Sequence, residues 1–531
     1  MENEFDVIVL GTGLSESISA AALARAGLKV AHIDPNAYYG ADEATLTLDE
    51  LCQWADTHTS SNFTLERESQ SIQYQVQYRS PDILPHSKQY SLSLSPSVIP
   101  SVGPFISSLV SSGVARYGSF KLLGPVSLYH DGQFTSVPQN KESIFQDRTI
   151  PLIEKRRLMR FLMFASGDFE NSPELQGKEN IPFDEFLRQS FSLGENIAQV
   201  VIFALAYCNF SGESTLMALH RVRSCLRSTG RYGSSPFLVG YYGGSGEIAQ
   251  GFCRSAAVNG GVYILGRRIS NIVINEPLSP GDHDQESSYR YSVELDDFPD
   301  PLRSSCLLSS PSHVPDYLRL HATRIPTSDN CSPSASHHRV LAMARCIVIV
   351  DGAVSLPRLN GSDDVPHSEG ESDSLLVVFP PGSLNHGSMI SSVHVLTAGP
   401  GTMSAPTGKS IVHLSMPLYE RGGSSKDLLD PYLAAMLSTS SPSAKPLFQL
   451  FYMQYFPSTD GGGRAGVTSD FCVSPALQPD IPQSADHAAQ HAERSFWHVM
   501  QSVRPGLSLE KEQGIWTNVD IGNIGDEDPE W

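Results

Sequence analysis

The sequence predicts an α/β (α+β) fold: a FAD/NAD(P)-binding, Rossmann-like flavoprotein-type domain that carries a smaller inserted α-helical domain. Three observations lead there. The chain opens on a short apolar run, Phe5 to Leu10, followed by a glycine turn, Gly11-Thr12-Gly13, and a small-residue helix from Leu14 to Ala26. Apolar runs of strand length return late, at 345–350, 375–379 and 409–414, so the first domain resumes after a long interruption. Within that interruption, from about 139 to 232, apolar residues fall at helical spacing instead.

The opening unit reads in order as strand, turn, helix, strand. Ala20, Ala21, Ala22 and Ala24 suit a closely packed helix, Gly27 suits the position just past its end, and Leu28 to Ile33 forms the second strand, ending at Asp34. A Gly11-x-Gly13 turn before a helix presents backbone N–H groups to a pyrophosphate. The third glycine of that fingerprint is replaced by Glu16. A carboxylate in the first helical turn meets the positive end of the helix dipole itself. Against a diphosphate about 4 Å away it adds roughly 1 to 4 kcal/mol of repulsion. The fingerprint Gly11, Gly13, Glu16, Asp34 is therefore degenerate, and no cofactor is expected. Asp34 stands about 20 positions past the glycines, where it would either bind a ribose hydroxyl or cap the next turn.

Composition removes other classes. With 37 basic against 57 acidic residues the net charge is −20, which excludes nucleic acid as a partner, since phosphate binding needs clustered Lys and Arg. The eight cysteines include no C-x-x-C pair, so neither a zinc site nor a disulfide framework is indicated. The acidic start Met1-Glu2-Asn3-Glu4 is unlike a leader, no run of about 18 apolar residues suggests a span, and the end, Asp526 to Trp531, has no prenylation box. A cytosolic protein is expected.

Along the chain, Asp56 to His86 reads as a polar surface insertion and Tyr90 to Ile99 as structured. Residues 117–137 read as two strands around a hairpin at Asp131-Gly132. In the helical module, Lys155-Arg156-Arg157 is either a solvated face or a contact for an acidic partner. Residues 274–338 are rich in Ser, Pro, Asp and His and read as a disordered or loosely held loop dispensable to the core, with 351–374 a second polar loop. The division expected is a discontinuous domain I (1–138 plus 233–531), a helical domain II (139–232) and a disordered insertion over 275–340.

If a helix begins near Gly246, then Glu247, Gln250 and Arg254 share one side and Ile248, Phe252 and Ala256 the other. That stripe is either the wet face of a packed helix or a protein-binding platform. His487 and His491 lie at i and i+4 with His498 on roughly the same side, but a third ligand is lacking and Ala488 stands where a zincin carries its glutamate, so no metal is expected. Ser245 lacks the G-x-S-x-G elbow, and no nucleophile, base and orienter combine. No catalytic residue is expected.

Gly11-Thr12-Gly13-Leu14-Ser15-Glu16-Ser17-Ile18, His32-Ile33-Asp34, Tyr38-Tyr39-Gly40, Glu154 to Leu158, Arg231-Tyr232-Gly233 and Tyr242 to Arg254 together resemble the Rab GDP-dissociation inhibitor and Rab escort protein family. The length and the Ser/Pro insertions are closer to the escort branch. The resemblance implies a non-enzymatic accessory subunit, component A, that binds GDP-bound Rab GTPases and presents them to the Rab geranylgeranyltransferase heterodimer. It further implies sheltering of the geranylgeranyl lipid, transient membrane contact on delivery, and a helical module that touches the transferase. The Rab-binding residues it implies are Tyr39, Glu247, Gln250, Arg254, Tyr263 and Ile264. An inhibitor that recycles prenylated Rab, and an FAD-dependent oxidoreductase, are the alternatives.

Overall fold

The computed structural model describes residues 3–59, 71–82, 84–137, 150–275, 289–318, 323–324, 339–354, 356, 373–439, 444–457, 470–476, 480–504 and 514–516. Its first unit is β1 (Glu4–Leu10), α1 (Leu14–Arg25) and β2 (Val30–Asp34), with β1 and β2 parallel. Val7 to Leu10 are fully buried, and α1 is enclosed on nearly all sides. Its alanines allow that, because a methyl group lets neighbouring helices approach closely. Ala20 to Ala22 pack with Ala249, Phe252 and Ala256 of helix Ser245–Val258 and with Ala488, Ala489 and Ala492 of helix Ser484–Val503.

The first sheet runs in the order Val262–Leu265, β2, β1, Leu302–Ser309, Tyr291–Leu295, Ile269–Ile274. Leu302–Ser309 lies parallel to β1, Val7 opposite Cys306, and strand Phe471–Val473 pairs with it as well. This corrects the expectation of a disordered, dispensable segment over 275–340: residues 291–295 and 302–309 form two strands, one of them beside β1. Four serines in or next to this run hid it; Ser304 and Ser309 are buried, with their hydroxyls donating to the carbonyls of Cys306 and Ser310 at 2.9 Å. Burying Leu302, Leu307 and Leu308 contributes about 1.5–3 kcal/mol each. Residues 276–288, 319–322 and 325–338 of that expected segment lie outside the described residues.

A second sheet runs Gln73–Arg79, Lys445–Tyr455, Ala342–Asp351, Lys409–Leu418, Val393–Ala398, Leu376–Phe379, Val126–His130, Gln133–Ser136. One face of its central strand (Ala344, Cys346, Val348) packs under helix Ser425–Thr439, and the other (Ile347, Ile349) over Trp54, Leu51 and Leu92. The edge strand Gln73–Arg79 lies inside the stretch expected to be a surface insertion, 56–86. It escaped notice because only Val76 of its seven residues is buried. Residues 60–70 and 83 of that stretch are outside the described residues. The expected hairpin is present, with Asp131 and Gly132 both at positive φ (48° and 78°), as its turn requires.

Helices Leu152–Ser166, Phe183–Phe191, Glu195–Val200 and Thr215–Ser228 form a layer whose aromatic core, Phe161, Phe183, Phe186 and Phe191, continues onto Leu376, Val378 and Leu396 of the second sheet. Lys155 is buried there and Arg157 pairs with Glu154 at 2.6 Å, so the basic run is not one solvated face. At this junction Arg221 is buried between Glu213 and Asp480. No helix among the described residues is long and apolar enough to cross a membrane.

Candidate functional site

Two neighbouring features hold the residues singled out from the sequence. One is the glycine cradle at the start of α1. Gly11 has φ +94°, and a Cβ there would sit 2.8 Å from Ser310 Oγ; one on Gly13 would sit 2.6 Å from Glu16 Oε2 and 3.2 Å from Glu43 Oε2. The Leu14 N–H at the helix N-terminus donates to Glu43 Oε2 at 3.0 Å. Glu16 is buried beside it, its carboxyl pushed up to about 7 chiefly by burial. Burial likewise raises Asp42 and Glu43, with Asp34 raising the first further and Asp42 and Glu16 the second. The sequence reading identified Glu16 alone; the acid pair after Tyr38-Tyr39-Gly40 was the signal for the rest.

These residues do not fit a dinucleotide. The cavity lined by Gly13, Ser15, Glu16, Asp42, Glu43, Ser310 and Ser312 has a volume of about 30 Å³. One water needs roughly 10–15 Å³ on that scale, so a pyrophosphate has no room. The three inward carboxyl groups also occupy the ground a diphosphate would need. Asp34 does not fit a ribose either. Its Oδ2 accepts from the Thr12 N–H (2.8 Å) and hydroxyl (2.6 Å), and its Oδ1 from the Asn36 N–H (2.8 Å) and amide (2.9 Å). Four donors from its own chain occupy the carboxylate, and the capping reading of Asp34 holds.

The second feature is the surface around helix Ser245–Val258. Glu247, Gln250 and Arg254 are exposed along one side, while Ile248, Phe252 and Ala256 are buried, as the wheel requires. The Arg254 guanidinium lies 4.7 Å from the centre of the half-exposed Tyr117 ring, a member of this surface that the sequence reading missed. Tyr39 is half-buried, its ring edge-on to Tyr263 at 6.1 Å. Behind them, buried His32 has Nε2 2.6 Å from the Gly11 carbonyl and Nδ1 3.1 Å from the Tyr263 hydroxyl. Burial holds its pKa down to about 4, so the ring is neutral; Nε2–H donates to the carbonyl and Nδ1 accepts from Tyr263. Tyr263 and Ile264 are neighbours on one strand and so point to opposite faces. Tyr263 joins the α1 side, whereas Ile264, paired with Ile33, packs on the apolar cluster on the other side of the sheet and does not share the surface of the other five. Among the described residues no three His, Cys, Asp or Glu side chains could hold a metal; His491 is buried, stacked on His487 at 6.4 Å.

A Rossmann-like, flavoprotein-type scaffold whose nucleotide cradle is filled by the chain's own carboxyl groups, beside an exposed polar helix face, defines a class of protein built on that fold without its usual ligand. Residues 1–279 match the model of the GDP dissociation inhibitor family, and the chain belongs to that family. It is 34% identical over 291 residues to a Drosophila melanogaster protein named Rab proteins geranylgeranyltransferase component A, covering 52% of this chain and 55% of that one. To the Saccharomyces cerevisiae protein of the same name it is 29% identical over 434 residues, covering 82% and 64%. The matches thus span between about half and two thirds of these relatives' length. The crystal structure of a Rab GDI from Plasmodium falciparum shares the fold, with a TM-score of 0.61 at 17% identity, covering 94% of this chain and 98% of that one.

Proposed function

We propose that this chain is a Rab escort protein. It binds newly made GDP-bound Rab GTPases, presents them to the Rab geranylgeranyltransferase heterodimer, shelters the geranylgeranyl group once attached, and hands the product to membranes. It acts in the cytosol with transient membrane contact, as an accessory subunit without a catalytic site of its own. The observation that carries this reading is the exposed Glu247, Gln250 and Arg254 stripe beside Tyr39, on a scaffold whose cradle has no room for a dinucleotide. The names of the relatives support it. The helical module expected over 139–232 is the part assigned to the transferase and lipid; its first long helix exposes Leu152, Ile153 and Met163 to solvent. A twenty-carbon isoprenoid gains roughly 0.8 kcal/mol per CH₂ removed from water, which is the physical reason for such a carrier.

The test is a reconstituted prenylation reaction with transferase and a Rab substrate, with and without this chain. Prenylation that depends on the chain is expected. Binding of prenylated Rab without support of the reaction would instead favour a recycling inhibitor, the reading that the likeness to the Plasmodium structure supports. Arg254→Ala and Glu247→Ala should each weaken binding of GDP-loaded Rab about tenfold, because a charged contact at the centre of an interface is worth roughly 1.4 kcal/mol or more. Titration of the folded variants reads this directly, and wild-type affinity in both would remove the helix face from the interface.

A further inference from the structure

The turn that carries Tyr39 is wedged and strained. Gly40 and Ala41 both have left-handed backbone, φ 99° and 44°, although Ala41 bears a Cβ. A Cβ on Gly40 would meet Ala44 Cα at 2.9 Å and Gly246 Cα at 3.1 Å, so the turn is pressed against the first turn of helix Ser245–Val258. The Gly40 N–H donates to the Thr12 carbonyl and hydroxyl at 3.1 Å, and Glu43 Oε2 accepts from the Leu14 N–H at 3.0 Å.

We propose that Glu43 is a positioning residue for the partner-binding face: its carboxyl group docks into the cradle that a diphosphate would use and so pins the 39–44 turn with Tyr39 against Tyr263. This rests on the GTPase-binding reading. The groups facing Glu43 and its neighbours are Glu16 on α1, Asp42 in the same turn, Asp34 on β2, His313 and Ser312 from the 310–313 turn, Tyr74 from the edge strand, and Ser474. Glu16 and Glu43 converge on one point at Gly13. Two carboxylates so placed do not both ionise freely. Above neutrality the Glu16 charge enters the docked cluster and loosens the turn.

The experiment is calorimetric titration of GDP-loaded Rab into the full chain and its Glu43→Ala, Glu43→Gln and Glu16→Gln variants, at about pH 6.5 and about pH 8.5. At the lower pH, Glu43→Ala should bind about tenfold more weakly, because the Leu14 N–H at the helix start loses its acceptor and the turn its anchor. Glu43→Gln keeps an oxygen for the Leu14 N–H and should stay within about threefold of wild type. Wild type should bind several-fold more weakly at the higher pH, and Glu16→Gln should not. Wild-type affinity in Glu43→Ala, equal losses in the alanine and glutamine variants, or an unaltered pH response in Glu16→Gln would each overturn the proposal. If Glu43→Ala fails to fold, the other two variants decide it. A wild-type chain with no affinity for GDP-loaded Rab would sink the escort reading itself, which is a different result.

Discussion

Replacing Arg221 with alanine is expected to destabilise the folded protein by about 3–5 kcal/mol, the range for removing one partner of a buried ion pair. Arg221 pairs with Glu213, its second nitrogen lies 3.8 Å from Asp480, and it donates to Cys208 Sγ at 3.4 Å. Burial disfavours the charged guanidinium, yet Glu213, Cys208 and Asp480 outweigh that and raise its pKa. Asp480, buried in turn, is pushed up to about 7 despite the nearby cation. His394 on the second sheet stays neutral, held down to about 4 by burial and then by the Arg221 charge. Without the guanidinium, two buried carboxyl groups lose their cation where the helical layer meets the sheet. Urea unfolding measures the loss. A change below about 1 kcal/mol would mean that water reaches these carboxylates.

Glu16→Gln should act in the opposite direction, with an effect that sets in above about pH 4.5 and is complete above 7. The folded pKa of about 7 lies above the ordinary 4.5, so below pH 4.5 both folded and unfolded chains hold the proton and no penalty exists. As pH rises from 4.5 to 7 the unfolded chain releases it first and stability falls. Above 7 the loss is constant, with a ceiling of about 3 kcal/mol at roughly 1.4 kcal/mol per unit. Glutamine mimics the protonated group, so the variant should be about 1–3 kcal/mol more stable than wild type at pH 8 and nearly equal to it at pH 5. Paired unfolding curves at the two pH values test this. A variant less stable than wild type at pH 8 would show that the charge itself is needed.

The parts legible in the sequence were those where local chemistry and tertiary role agree. The glycine pair at 11 and 13 with the alanine run behind it marked the first βαβ unit, and the exposed stripe of Glu247, Gln250 and Arg254 followed from helical spacing. What stayed hidden was context. Asp42 and Glu43 look like an ordinary surface turn until the fold turns them inward against α1. Tyr117 lies far from Arg254 in sequence and meets it only through packing. Strand Leu302–Ser309 reads as loop because buried serines there satisfy their hydroxyls within the strand and its end. Ile264 was grouped with Tyr263 by adjacency, which on a strand places the two on opposite sides.

The pairing of Val7 with Cys306 sets the order of events during biosynthesis. When the N-terminal segment leaves the ribosome, the neighbour that completes its sheet has not been made, and at about 5–20 residues per second it follows roughly 15–60 s later. Through that interval one edge of a largely apolar strand, with Val7 to Leu10 destined for full burial, is open to mispairing.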